Sequence, residues 1–334
     1  MKKGGKGVTF DDIMKRLLVT GAAGFVGARF VEMCRARGPI DIISVDAAGH
    51  FKERPEHAAI DFGTIVDRDA LFDWLRSEKP DLSGVVHLGA ITDTTEMDVA
   101  LLQKRNVEYS QKLWNYSSQS TVPLVYASSA ATYGAGELGY DDDDALIPKL
   151  KALNPYGESK RIFDEWALGE EKRGNAPPKW SGWKFFNVYG FGEAHKGRMA
   201  SVILHAYNQL KSKGEIKLFK SHRAGIADGH QARDFVDVKD VIDVLQFALD
   251  KPVERGIRNL GTGKARTFLD LARAVCKAAG HDEAISFIDT PPSIRDQYQY
   301  FTEARMERLR ALGYDKPFRS LEDGVTDYVE RLTA

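Results

Sequence analysis

The stretch RLLVTGAAGFVG, residues 16 to 27, limits what this chain can fold into more than any other. A short apolar run ends in three evenly spaced glycines, Gly21, Gly24 and Gly27, and a helix-patterned segment follows. A buried strand that turns tightly into a helix accommodates this order. Glycine supplies the tight turn, lets the backbone approach a phosphate without a Cβ, and lets the helix pack close to the strand. The spacing G-x-x-G-x-x-G differs by one step from the common dinucleotide fingerprint, but its physical requirements are similar. The helix opening at Phe25 and Val26 would present its N-terminal amides to a pyrophosphate.

The same rhythm recurs downstream. LLVT (17 to 20), DIISVD (41 to 46), GVVHLGA (84 to 90) and PLVYASS (123 to 129) are short, apolar and rich in β-branched residues. Between them, GARFVEMCRARG and DRDALFDWLRSEKP repeat apolar residues at three and four, as crossover helices do. Alternating strand and helix predicts an α/β fold, a doubly wound parallel-sheet Rossmann domain. After KWSGWKFFNVYG the pattern changes to a helix, MASVILHAYNQLKSKG, a strand-like IKLF and a charged loop, so a smaller, interleaved α/β substrate domain is expected. The segment DFVDVKDVIDVLQFALD (234 to 250) reads as strand then helix and is expected to return to the sheet. The expected division is a flexible tail over 1–15, the dinucleotide domain over 16–187 and 233–256, and the substrate domain over 188–232 and 257–334.

Charge narrows the ligand. With 47 basic and 48 acidic side chains the chain has no basic field for nucleic acid or an anionic membrane, so neither partner is expected. Cys34 and Cys276 lie far apart in helix-like stretches, which supports neither a disulfide framework nor a zinc knuckle. The only low-complexity run, Asp141 to Asp144, reads as a solvated acidic loop because consecutive carboxylates splay, and no metal is expected. A small molecule remains.

Asp46 ends the second strand, 19 residues after Gly27, where a carboxylate can accept from an adenosine ribose or simply close a strand-end turn. It would repel a 2′-phosphate, while Lys52 and Arg54 just beyond would neutralise one, so NAD and NADP both stay open. Asp61 and Phe62 fall where an adenine would be edged and stacked, and Gly89–Ala90 closes a strand with small side chains that leave room for a dinucleotide.

Tyr156 and Lys160 stand four apart in NPYGESK, after an N-cap candidate, Asn154, and Pro155 at the first helical position. On a helix they share a face. A phenol with a pKa near 10 needs about 3 units of help to act as a base near pH 7. An ammonium at about 4 Å supplies help of that order at an effective dielectric of about 20. Tyr207 and Lys211 repeat the spacing, so the spacing alone is cheap. What distinguishes Tyr156 is the preceding strand end, YASSAATYG, whose Ser129 would present a hydroxyl to the same substrate oxygen.

GAAGFVG, SSAATYG, NPYGESK and RDFVDVKDV together resemble the extended short-chain dehydrogenase/reductase family over residues 16 to 330. FNVYG, HKGRMASV, NLGTGKA, YQYFTEA and LGYDKPF bring the resemblance nearest to members that invert C6 of the heptose in ADP-heptose. That likeness implies oxidation to a 6-ketone and reduction from the other face, with NADP as cofactor and NAD as the alternative. It carries Tyr156 over as the base for one epimer and Lys196 for the other; local sequence alone makes Lys196 a solvated loop lysine. It places Thr92, Asn106 and Val188 near the cofactor, and Asn187, Arg198, His205, Phe219, Arg233 and Tyr298 toward the substrate. Arg233 would grip a diphosphate bidentately, or else pair with Asp234 or Asp237. The resemblance further implies a cytoplasmic homo-oligomer, with a pentamer as one form, and a role in lipopolysaccharide core assembly. A UDP-hexose 4-epimerase is the nearest competing reading. A dehydratase would need carboxyl groups where Ala130 and Ala131 stand, and a dinucleotide sensor would have no use for the Tyr156 and Lys160 register.

Overall fold

A computed structural model describes residues 16–251, 255–295 and 299–333. The tail expected over 1–15 lies outside them. The first half of the chain alternates strand and helix: β1 (Arg16–Thr20), α1 (Phe25–Arg37), β2 (Asp41–Asp46), β3 (Thr64–Asp67), α2 (Leu71–Glu78), β4 (Gly84–His87), α3 (Tyr109–Gln119), β5 (Leu124–Ser129), α4 (Pro155–Lys172) and β6 (Trp180–Phe185). The second half contributes β7 (Asn187–Tyr189), α5 (Val202–Lys213), β8 (Ile216–Phe219), β9 (Ala232–Asp237), α6 (Val238–Asp250), β10 (Gly256–Leu260), β11 (Ala265–Thr267), α7 (Phe268–Ala278), β12 (Ile285–Ile288) and α8 (Leu321–Thr333).

Seven strands form one parallel sheet in the order β10-β6-β5-β4-β1-β2-β3. The order reverses between β1 and β4, and a crevice opens there at the strand C-termini, as in doubly wound folds generally. The central strands are buried on both faces, which explains their unbroken apolar runs. β3 is an edge strand with Thr64 and Ile65 exposed, and its short pattern gives little signal.

The main core extends further along the chain than the sequence boundaries allow. β10 completes the large sheet beside β6, and Ala304, Met306, Leu309 and Tyr314 pack into the same core. β10 (Gly256–Leu260) and residues 304–314 thus pack with the first core, past the limit expected at 256. β9 does not return to the large sheet as expected; it pairs with β7 and β11 in a separate three-stranded sheet, while α6 packs back on α1. A second core gathers α5, β8, α7 and α8 around Ile203, Leu271 and Val325.

The acidic run is not a solvated loop. Arg305 pairs with Asp141 at 2.7 Å, Asp142 is buried and accepts the Asn259 N–H at 2.8 Å, and Arg308 pairs with Asp144 at 3.2 Å. These contacts fasten the loop to β10 and to the short helix Glu307–Ala311. Cys34 and Cys276 are buried free thiols. Among the described residues no helix is long and apolar enough to cross a membrane.

His87, at the end of β4, sits behind the crevice between two hydroxyls. Its Nδ1 lies 2.6 Å from Thr20 Oγ1 and its Nε2 lies 2.8 Å from Ser110 Oγ. Burial, with a smaller contribution from the Lys160 charge, pushes its pKa down to about 3. A buried neutral histidine is charged only in the unfolded chain below about pH 6.5, so its contribution to stability is complete above that pH and falls away toward pH 3. Between pH 7 and pH 5 this histidine accounts for about 2 kcal/mol of lost stability. Urea-unfolding curves at the two pH values should show the wild type losing about 2 kcal/mol more than His87→Gln between pH 7 and pH 5; equal losses would contradict the assignment.

Candidate active site

The turn after β1 does what its glycines predict. Gly21 adopts φ +68°, and a Cβ there would sit 2.5 Å from the Gly89 nitrogen at the end of β4. A Cβ on Gly27 would meet the Gly21 carbonyl oxygen at 2.0 Å, so only glycine lets α1 start this close to the strand. No side chain caps the α1 N-terminus, and Phe25, Val26 and Gly27 line the crevice. Uncapped amides at a helix start are an anion site.

That crevice is a cleft of about 720 Å³. On the strand-end side its lining includes Gly21, Gly24, Asp46, Gly89, Ala90 and Thr92. Ser129, Tyr156, Lys160, Asn187, Val188 and Lys196 enclose it from further along the chain. Asp46 holds the turn: it accepts from Ala23 N at 3.1 Å and Ala47 N at 2.8 Å, and lies 3.0 Å from His50 Nδ1.

Asn154 caps α4 as expected, accepting the Gly157 N–H at 2.8 Å, with Pro155 at the first turn. Tyr156 and Lys160 are both buried on the face that meets β5. Lys160 Nζ donates to the Ala127 carbonyl at 2.9 Å, which pins the lysine to the strand. Burial pushes the Tyr156 phenol up, partly offset by its hydrogen bond with Ser129. The same burial pushes Lys160 down to about 8, against the pull of Asp164. The phenol thus needs more than the 3 units expected from a solvent-exposed reference, and the ammonium is itself easier to discharge.

Behind this pair lies a group that sequence reasoning missed. Asp164 is fully buried; it accepts from Ser128 Oγ at 2.6 Å and Tyr126 OH at 3.1 Å and pairs with buried Lys184 at 2.8 Å. Lys184 also donates to Thr132 Oγ1 at 2.7 Å. The i+4 and i+8 positions after Lys160 and Tyr156 were the available signal.

Lys196 is not a solvated loop lysine. It sits in the turn Ala194–Met199 with its Nζ over the Phe25 ring at 5.5 Å and 4.0 Å from the buried Glu193 carboxylate. Burial lowers its pKa, and Glu193 opposes that shift.

Other expected positions lie elsewhere. Lys52 is exposed and outside the lining, whereas Arg54, His50, Arg68 and Arg105 line it. Asp61 faces Arg35 at 3.3 Å, Phe62 is packed edge-on against Phe51, and neither is among the residues that line the cleft. Asn106 is buried behind the wall: its amide group accepts from Ile91 N at 2.8 Å and donates to Ser159 Oγ at 3.0 Å. It therefore holds the loop that lines the cleft.

On the substrate side, Arg198 is largely exposed and pairs with Asp93 at 2.8 Å, and His205 lies 3.3 Å from the Arg198 carbonyl. Phe219 ends β8 away from the lining. Arg233 is buried, donating to the carbonyls of Ala232 at 3.0 Å and Gln299 and covering Phe268, while Asp234 takes amides of Thr262 and Gly263 and Asp237 caps α6. Tyr298 lies outside the described residues. The second tyrosine and lysine copy is a helix face, with Tyr207 in the second core and Lys211 over its ring.

Residues 17–261 match the model of the NAD dependent epimerase/dehydratase family. The chain is 45% identical over 328 residues to the ADP-L-glycero-D-manno-heptose-6-epimerase of Fusobacterium nucleatum, spanning 95% of this chain and 98% of that protein. It is 43% identical over 322 residues to the enzyme of the same name from Nitratidesulfovibrio vulgaris, with 95% and 98% covered. The crystal structure of the Helicobacter pylori ADP-L-glycero-D-manno-heptose-6-epimerase superimposes with TM-score 0.79 at 27% identity, covering 96% of this chain and 97% of that one. A Thermus thermophilus UDP-glucose 4-epimerase in complex with NAD follows at TM-score 0.73 and 25% identity, covering 96% and 99%.

Proposed function

The chain belongs to the NAD dependent epimerase/dehydratase family, and from that premise we propose that it inverts C6 of the heptose in ADP-glycero-manno-heptose, with Tyr156 and Lys196 as the two groups that handle the hydroxyl proton. It is a sugar-nucleotide epimerase, an isomerase that uses a nicotinamide cofactor. The observation that supports the two-base reading best is the placement of Tyr156 and Lys196, from separate elements, in the wall of one cleft whose glycine turn admits a dinucleotide.

The residues fit that cofactor. The uncapped start of α1 suits a pyrophosphate, Asp46 stands at the ribose position, and small residues at 89 and 90 leave the floor open. When bound, the nicotinamide supplies the acceptor and donor of the hydrogen carried by C6. Tyr156, hydrogen-bonded to Ser129, takes the hydroxyl proton of one epimer as C6 becomes a carbonyl. Lys160 stabilises the phenolate as a nearby cation. Lys196, already depressed by burial, supplies the proton to the C6 oxygen when the carbonyl is reduced from its other face, and takes it in the reverse direction. Reduction and oxidation cancel, so no net redox change results.

Among the finer readings, Arg54 replaces Lys52 as the group that meets a 2′-phosphate, since it lines the cleft near Asp46 and Lys52 does not. NADP is the preferred cofactor on that reading. Assembly into a homo-oligomer, a cytoplasmic location and a place in lipopolysaccharide core synthesis complete the proposal.

Incubated without added cofactor, the enzyme should convert ADP-D-glycero-heptose and leave UDP-glucose unchanged by NMR; turnover of the UDP-sugar alone would overturn the substrate assignment. Tyr156→Phe and Lys196→Met should each lower kcat by roughly 10²- to 10⁴-fold, the range of a lost acid–base group, with the cofactor retained. Full activity of Lys196→Met would end the two-base reading. In fluorescence titrations, Arg54→Ala should weaken NADP by roughly tenfold, the worth of a charge-assisted contact, and NAD much less, with Lys52→Ala neutral for both. The reverse ranking would restore Lys52.

A further inference from the structure

On the wall beside Lys196, two segments far apart in sequence bring together a carboxylate and two imidazoles. The turn Pro55–His57 contributes Glu56 and His57, and the turn Ala194–Met199 contributes His195. One donor atom of each lies within 4.8 Å of the others.

We propose that Glu56, His57 and His195 form a binding site for a transition-metal dication of the Zn²⁺ class, bridging the turn after β2 to the segment that carries Lys196. The donor set, two imidazoles and one carboxylate, suits such a cation and leaves a fourth position open.

The separate observation that points to a ligand is His57. It is only 2% exposed, yet its Nε2 is buried with no hydrogen-bond partner in the protein. Buried polar atoms are almost always satisfied. Its other ring nitrogen, Nδ1, faces the His50 carbonyl at 3.3 Å, the outer contact that orients a metal-ligating imidazole. Arg29 donates to the Glu56 carbonyl at 3.1 Å and holds the turn in place. Glu56 and His195 already meet at 2.8 Å between Oε1 and Nδ1, so two of the three ligands are in register.

Tetrahedral donors on bonds of about 2.0–2.1 Å stand about 3.3 Å apart, so Glu56 and His195 part slightly and the wider separations close, within reach of side-chain rotation. Arg54 and Lys196 are close enough to His195 for their charges to act on it, which places the affinity below that of a closed four-ligand site. The site stands apart from the role proposed for Lys196, because its test reads metal and not turnover.

Untagged full-length protein, stripped with chelator, would be titrated with Co²⁺ and followed by its visible ligand-field absorption, then competed with Zn²⁺. The expected result is one equivalent of tetrahedral-type Co²⁺ displaced by Zn²⁺, weakened more than about tenfold in both His195→Ala and Glu56→Ala. His281→Ala, at an exposed histidine elsewhere, should bind as the wild type does. The His195 and Glu56 side chains keep 14% and 11% exposure, so replacing them carries less folding risk than replacing His57, which keeps 2%. No ligand-field band in the wild type, or equal binding by wild type, His195→Ala and Glu56→Ala, would overturn the proposal.

Discussion

The backbone contact between Gly21 and Gly89 is the constraint on which the rest of the site depends. β1 and β4 run side by side, and their chains then leave in opposite directions, toward β2 and toward β5. The crevice between those departures exists because no Cβ fills it: at position 21 one would come within 2.5 Å of the facing amide. The second close approach, Gly27 onto the Gly21 carbonyl, brings the start of α1 to the same point. Backbone amides, a helix N-terminus and open floor are thereby placed where a dinucleotide phosphate fits.

The opposite wall solves a different electrostatic problem. Burying Tyr156 and Lys160 together opposes the charge each would carry, pushing the phenol up and the ammonium down. Asp164 holds the hydroxyls of Tyr126 and Ser128 and the Lys184 ammonium in one satisfied cluster behind them, so this wall keeps its shape without exposed charge. Removing one partner of such a buried pair generally costs about 3–5 kcal/mol. Burial lowers Lys196 as well, against the opposing Glu193 carboxylate, in a turn that sets its ammonium over the Phe25 ring.

How much of this was legible in the sequence depends on whether a pattern is local. β1, β2, β4 and β5 announce themselves because parallel strands buried on both faces read as continuous apolar runs. β3 does not, with two of its four residues exposed at the sheet edge. The strand nature of β9 was visible, but its partners were not, since periodicity says nothing about which strand lies alongside. The Asn154 cap and the shared burial of Tyr156 and Lys160 follow from helical spacing. Whether Lys52 or Arg54 faces the cleft turns on one short helix, His50–Glu53, whose phase a sequence does not reveal. The acidic run was misread because its arginine partners, Arg305 and Arg308, are 164 residues away. Glu56 and His195 are 139 apart, and only folding brings them together.

The central claim is that the hydrogen on C6 leaves and returns within the cleft, while only the hydroxyl proton is handled by side chains. ADP-heptose carrying deuterium at C6, turned over in ordinary water and examined by mass spectrometry and NMR, tests this most directly. Full retention of the label in the inverted product is the predicted result. Loss of the deuterium to solvent would show that C6 is inverted by proton abstraction instead, and would contradict the account.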